Sequence, residues 1–309
     1  MGRRRKGDAI SGWICLDKPT ELGSTQAVGR VRRAFNAQKA GHAGTLDPLA
    51  TGILPIALGE ATKTVPFLMD ADKTYRFTIA WGVETATFDR EGAVTATSDV
   101  RPSVEAVRAA LPAFVGEIEQ VPPDYSAVKV NGERAYDLAR EGVAMELKGR
   151  TVTIHDARCV GQSDADHVTL EIDCGKGTYV RALVRDLAAA LGARAHVGDL
   201  RRLRVGAFTE ANAITLEQLE IMCNTAAPLE VLLPVETALD DIPELAVTDE
   251  DAFRLTQGRS IVLLPRQVET LRARLTASRI VSARHGANIV ALCEMRAGRL
   301  NPTRVFHTS

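Results

Sequence analysis

The chain has 309 residues, 45% hydrophobic and 25% charged, with a formal net charge of −1. That length supports a sizeable core and about two domains, and the composition is that of a soluble globular protein. No apolar run is long enough to span a bilayer, and no secretory apolar region with a cleavage site follows the basic start Met1-Gly-Arg-Arg-Arg-Lys-Gly7, so the cytoplasm is the expected compartment. In chain order, Gly12 to Leu16 reads as a short apolar strand ending at Asp17-Lys18-Pro19. Ser24 is placed to cap a helix whose Ala27, Val28, Val31, Ala34 and Phe35 share one face. Tyr75, Phe77, Ile79 and Trp81 alternate as in a strand, and Ser103 to Phe114 reads as a helix. Pro122-Pro123 breaks the chain ahead of a polar stretch, Asp124 to Arg150, that looks like an insertion or mobile arm. Val168, Leu170, Ile172 and Cys174 alternate again. Val180, Leu183, Val184, Leu187 and Leu191 then form a helical stripe stopped by Gly192. Thr215 and Gln218 suggest a capping box. Strands and helices without strict βαβ alternation predict an α+β fold, with the best domain boundary in the acidic stretch between Pro234 and Asp251.

The five cysteines (Cys15, Cys159, Cys174, Cys223, Cys293) are odd in number and form no close pair, which argues against a disulfide framework and against a zinc site. The near-zero net charge hides a strong asymmetry. No Lys or Arg lies between Arg204 and Arg254, a stretch rich in Asp and Glu. Residues 252–309 then carry ten arginines against only Glu269 and Glu294. Arginine suits bidentate phosphate contact, and binding a polyanion needs a local positive face rather than a positive total. The plainer reading is a solvated arginine-rich surface.

The segment Gly41-His-Ala-Gly-Thr-Leu-Asp-Pro-Leu-Ala-Thr-Gly52 holds one carboxylate, Asp47, among glycines and a proline that shape the backbone, with His42 five residues earlier. It reads equally as a surface turn or as a loop presenting an acid. Phosphate-binding loops, dinucleotide fingerprints, zinc motifs and the serine-nucleophile elbow are all missing from the sequence. What remains is a lone carboxylate with Tyr75 opening a strand and Tyr179 and Arg181 opening a helix, a set suited to nucleophilic carboxylate chemistry on a flat base. Taken singly, each has a plainer role, as a half-buried aromatic, a surface ion-pair partner or a loop hydrogen-bonder.

The Gly41–Gly52 segment resembles the signature of the TruB family of tRNA pseudouridine synthases. The resemblance continues in order through Leu16-Asp-Lys-Pro19, Asp72-Lys-Thr-Tyr75, Thr85-x-Thr87-x-Asp89-x-x-Gly92 and Pro123-x-Tyr125-Ser126-Ala127-x-Lys129. It then takes in Gly132, Tyr136, Ala139 and Arg140, Lys176-Gly-Thr-Tyr-Val-Arg181 and Leu200-Arg-Arg-Leu203. Glu21 and Gly23 depart from it, standing where the family carries Gly and Thr. The resemblance implies a pseudouridine-synthase fold, a mixed, mainly antiparallel sheet flanked by helices over residues 1–238, with an RNA-contacting insertion at about 122–150. Residues 239–309 would form a small β-rich PUA-like domain. It implies isomerisation of uridine 55 in the T-loop of tRNA, with Asp47 as nucleophile, Arg181 as its ion-pair partner and Tyr75 stacked on the flipped base. Tyr179 and Leu200 would line the uracil pocket, and His42 would help fill the space the base vacates. No cofactor and no metal are expected. The partner would be tRNA, held at the T stem-loop and at the acceptor stem by the arginine-rich tail, with the protein a monomer away from membranes and able also to assist tRNA folding. Two other classes stay open: an RNA-binding protein without catalysis, and a carboxylate-nucleophile hydrolase of small molecules, which would lack a second acid and leave the tail unexplained.

Overall fold

The computed structural model describes all residues except 1–6, 127, 131–132, 136–137, 139–140, 142–146, 225–227, 276–277 and 308–309. Ala127, Gly132, Tyr136, Ala139 and Arg140 of the RNA-contacting motif therefore lie outside the described residues.

A ten-stranded sheet organises the first 215 residues. Its strands are β1 (Gly12–Lys18), β2 (Ala40–His42), β3 (Thr51–Leu58), β4 (Lys73–Trp81), β5 (Gly116–Gln120), β6 (Arg150–Asp164), β7 (His167–Cys174), β8 (Ala195–Val205), β9 (Phe208–Thr209) and β10 (Ile214–Thr215). The order is β10-β1-β3-β8-β4-β7-β6-β5, with β2 on β3 and β9 on β8. Only β10–β1 and β3–β8 pair in parallel, so the sheet is mixed and mainly antiparallel. Strands β1 and β3 are apolar along almost their whole length and are buried on both faces, the pattern of a sheet covered on each side. Helices α1 (Ser24–Ala34) and α4 (Val180–Ala190) supply Ala27, Val31, Leu183, Val184 and Leu187 to the core that covers Ile14, Leu16, Leu54 and Ile56. Fully burying one such aliphatic side chain contributes about 1.5–3 kcal/mol.

Local sequence signals account for several boundaries. Between α1 and α4 lie α2 (Val65–Asp70) and α3 (Val104–Ala110). Ser103 caps α3 by accepting from the Ala106 amide at 3.2 Å, and Gly192 ends α4 with φ +65°. Thr215 and Gln218 form the reciprocal capping box of α5 (Leu216–Asn224). Ser24 departs from its expected role. It is the first residue of α1 rather than the cap, and its hydroxyl donates to the Leu46 carbonyl and accepts from the Leu46 amide, at 2.8 and 2.9 Å. Gly23 takes the cap position, where it has no side chain to offer, and Gln26 instead accepts from its amide at 3.0 Å.

The stretch read as an insertion leaves the sheet between β5 and β6, whose ends pair directly, Gln120 opposite Arg150. Its described part includes a short hairpin, Lys129–Val130 with Glu133–Arg134.

A second sheet gathers β11 (Glu244–Ala246), β12 (Ile261–Val262), β13 (Ile280–His285), β14 (Asn288–Arg296) and β15 (Arg299–Val305) in the order β11-β13-β14-β15-β12. Helices α6 (Asp249–Thr256) and α7 (Pro265–Arg272) accompany it, and Leu255, Leu271, Val281, Cys293 and Leu300 form its own core. The end of the chain docks back on the first body. Phe306 is buried in a cluster that includes Phe67, Lys63 Nζ donates to the Val305 carbonyl at 2.6 Å, and the His307 amide donates to Glu60 Oε2 at 2.9 Å. Among the described residues, no helix is long and apolar enough to cross a membrane.

Candidate active site

The loop between β2 and β3 carries Asp47 and is fastened from three directions. From α1, Ser24 holds Leu46. From the end of β1, the Lys18 ammonium, itself fully buried, donates to the carbonyls of Pro19, Leu22 and Pro48, and the Glu21 amide donates to the Pro48 carbonyl at 2.8 Å. Burial pushes the Lys18 ammonium down to about 8, opposed by the nearby Asp47 charge. From β8, Arg202 donates Nη2 to the Gly44 carbonyl, Nη1 to Thr45 and Nε to Ile53, at 3.2, 3.3 and 2.7 Å. Leu46 and Leu49 face inward on either side of Asp47. The segment is therefore a braced platform rather than a surface turn. Glu21 sits at φ +62°, a backbone conformation glycine adopts more readily.

Asp47 meets Arg181 at the first turn of α4, with Arg181 Nη2 3.0 Å from Asp47 Oδ2. The arginine side chain is only 7% exposed, against 34% for the acid, so the guanidinium is the inner member of the pair. Arg181 is itself held by the carbonyls of Thr87 and Tyr125, at 3.1 and 2.9 Å, and by Asp89, whose Oδ2 lies 3.5 Å from Nη1. Asp89 is fixed in turn: Oδ1 accepts from Thr87 Oγ1 and from the Glu91 amide. The sequence reading of a lone carboxylate needs correction, because two acids share Arg181. Asp89 lies 92 residues from it along the chain and is buried, and only the Thr85-x-Thr87-x-Asp89 motif marked it.

A cavity of about 290 Å³ opens beside this pair. Asp47, Arg181, Tyr75, Tyr179 and Leu200 all line it, as do Arg150 and, from the Asp72–Tyr75 and Leu200–Leu203 motifs, Lys73 and Arg202, to which sequence reasoning gave no role. Tyr75 comes from β4 and Leu200 from β8. The Tyr75 phenol is raised by burial, with the Arg202 charge acting against the rise. Tyr179 ends the loop before α4, its amide donating to Gln120 Oε1 at 2.8 Å, and the Arg150 guanidinium stacks 4.8 Å above its ring. Lys73 donates to the carbonyls of Met69 and Ala71 at the end of α2, and burial lowers it to about 8. His42 is placed elsewhere, on β2 opposite Ile56 and outside the cavity wall, with its imidazole pKa lowered by burial and then by Arg202. Among the described residues, no group of His, Cys, Asp and Glu is arranged to hold a metal ion.

An acid on a braced loop, paired with a buried arginine above an aromatic-walled cavity, on this mixed sheet, defines a pseudouridine-synthase fold. A crystal structure of a Cbf5-Nop10-Gar1 complex superposes with a TM-score of 0.73 at 25% identity, covering 96% of this chain and 85% of that one. An H/ACA RNP bound to a substrate RNA containing 2′-deoxyuridine gives the same TM-score at 22% identity, covering 100% of this chain and 92% of that one. Within that fold, residues 32–180 match the TruB family pseudouridylate synthase N-terminal domain, and residues 181–240 match the tRNA pseudouridylate synthase B C-terminal domain. The tRNA pseudouridine synthase B of Caulobacter vibrioides is 73% identical over 307 residues, 99% of each chain, and that of Bradyrhizobium diazoefficiens is 53% identical over 309 residues, 98% of this chain and 88% of that one. The chain belongs to the TruB family.

Proposed function

We propose that this protein converts uridine 55 in the T-loop of tRNA to pseudouridine, with Asp47 as the nucleophile on a flipped-out base. The observation that carries the reading is the 3.0 Å Asp47–Arg181 pair at the wall of a cavity also lined by Tyr75, Tyr179 and Leu200. A base extruded from its stack, at a cost of about a few kcal/mol, finds there aromatic surfaces to rest on and an acid to attack it. Asp47 attacks either C6 of the uracil or C1′ of the ribose. The C1′–N1 bond breaks, the uracil turns, C1′ bonds to C5, the bond formed to Asp47 breaks and returns the free carboxylate, the C5 hydrogen leaves as a proton and N1 gains one. The product is an isomer of the substrate, so the chemistry calls for neither a redox partner nor a second substrate.

His42, at the entrance to the loop, would fill the gap left in the base stack. Residues 1–238 would carry the catalysis. Residues 239–309, a PUA-like unit, would touch the acceptor stem through exposed arginines such as Arg259, Arg266, Arg272, Arg274 and Arg296. The protein would act as a monomer. A purely RNA-binding role is less favoured, since an acid facing a polyanion adds nothing to binding and Asp47 stays 34% exposed although Arg181 pairs with it. Chemical mapping of pseudouridine in tRNA before and after treatment tests the assignment: a new modification at position 55 is expected, and an unmodified T-loop after full treatment would refute it.

A further inference from the structure

We propose that Arg202 is a positioning residue of this active site, holding the Asp47 loop and the Tyr75 side chain in the arrangement the reaction uses; this rests on the reading of Asp47 as nucleophile. Arg202 is 1% exposed, an extreme for a residue that carries a permanent charge. Its hydrogen bonds go to three carbonyls, Gly44 and Thr45 before Asp47 and Ile53 after it, so one rigid planar fork clamps both arms of the loop. Sheet register explains why it can do so. Arg202 on β8 lies opposite Gly52 on β3 and opposite Tyr75 on β4, in one row across three strands. The approach to β3 is so close that a Cβ at Gly52 would sit 2.2 Å from the Arg202 carbonyl oxygen.

Packing alone does not account for an arginine here. A buried cation is costly, and an apolar side chain of similar volume commonly packs as well or better. What an apolar side chain cannot do is bind three carbonyls at once while presenting charge to the cavity. That charge is felt by its neighbours: it lowers His42 and Lys73 and counters the burial of the Tyr75 phenol. The adjacent Arg201 makes the contrast plain. It points the other way and pairs with Asp17 and Glu210 at 2.9 and 2.7 Å, an ordinary partly exposed network.

The test uses the full-length protein with Arg202→Lys, Arg201→Lys and Asp47→Asn in parallel. Thermal unfolding, tRNA affinity and the single-turnover release of the C5 hydrogen at saturating enzyme are measured for each. For Arg202→Lys the expected result is a folded protein that binds tRNA within about twofold of wild type but reacts about 100-fold more slowly, the scale of a misplaced reacting group. Arg201→Lys should react at about the wild-type rate. A folded Arg202→Lys protein reacting within about threefold of wild type, or losing rate only in step with affinity, would overturn the proposal. Should Arg202→Lys fail to fold, Gly44→Ala serves instead. It strains a residue at φ +90° whose carbonyl is one of the three acceptors, and a Cβ there meets only Arg202 within 4 Å. Slowed release with retained affinity is expected for Gly44→Ala, and release at the wild-type rate would overturn the proposal. Release by Asp47→Asn at the wild-type rate would instead refute the nucleophile assignment, so the two failures are distinguishable.

Discussion

The Asp47 loop and the arginine-rich C-terminal sheet use the same chemistry, cations facing oxygen acceptors, in opposite ways. Around Asp47 the cations are buried and bound to the backbone: Lys18, Arg181 and Arg202 each bind two or three carbonyls. In the C-terminal unit, Arg254 pairs with Glu250 and Arg284 with Glu244 and Glu236, so part of the acidic stretch is consumed internally, while arginines such as Arg266, Arg272 and Arg296 remain exposed. Buried cations bonded to several fixed carbonyls hold geometry, whereas exposed ones supply a field that salt can screen. Substitutions in the first region should therefore damage rate and stability together, and in the second only affinity.

The largest effect is expected for Arg181→Met. Removing the inner cation strands the buried Asp89 and frees Asp47, and breaking such a pair costs about 3–5 kcal/mol. Denaturant unfolding together with single-turnover assays would check it, and a variant of unchanged midpoint would break the comparison. Gly52→Ala should come next, at about 1–3 kcal/mol, because it adds a Cβ against the Arg202 carbonyl at a residue with φ +100°. Its thermal midpoint is the readout. Ser24→Ala removes both hydrogen bonds to Leu46, which should cost about 1–3 kcal/mol and slow the reaction without weakening tRNA binding. The smallest effect on catalysis is expected at Arg266→Glu and Arg272→Glu, singly. Each should lower the slope of log affinity against log salt by about 0.7–0.9 for each phosphate it no longer neutralises, with the rate at saturation unchanged. An unchanged slope for both would show that this face does not meet phosphate.

How far the site could be read from the sequence follows from the range of its interactions. Those within a few residues were legible: the Thr215–Gln218 box and the Gly192 stop form within one helical turn, and the helix read from Ser103 to Phe114 is an α-helix over Val104–Ala110 that tightens to a 3-10 turn over Leu111–Phe114. Ser24 shows how a local signal misleads. A serine before an apolar stripe has the pattern of a cap, but its partner, Leu46, is 22 residues away. Strand β3 gave no alternation because both its faces are buried, and Pro55 inside it argues against a strand when read alone. Asp89 and Arg202 stood in quoted motifs but received no role, for the same reason as each other: their roles arise from sheet register and helix packing that join residues 92 to 158 positions apart. The aromatic and cationic members, Tyr75, Tyr179 and Arg181, were grouped once the familiar motifs had failed, the ordered resemblance gave each a role, and the cavity brings them together. His42 came from that resemblance too, and its strand holds it outside the cavity.

The most direct test of the central claim is the release of the C5 hydrogen from tRNA labelled at its uridines, comparing wild type with Asp47→Asn at matched, saturating tRNA. The wild-type protein should release one equivalent from each T-loop, and the variant should bind the tRNA and release none. Undiminished release by a folded Asp47→Asn protein would contradict the account.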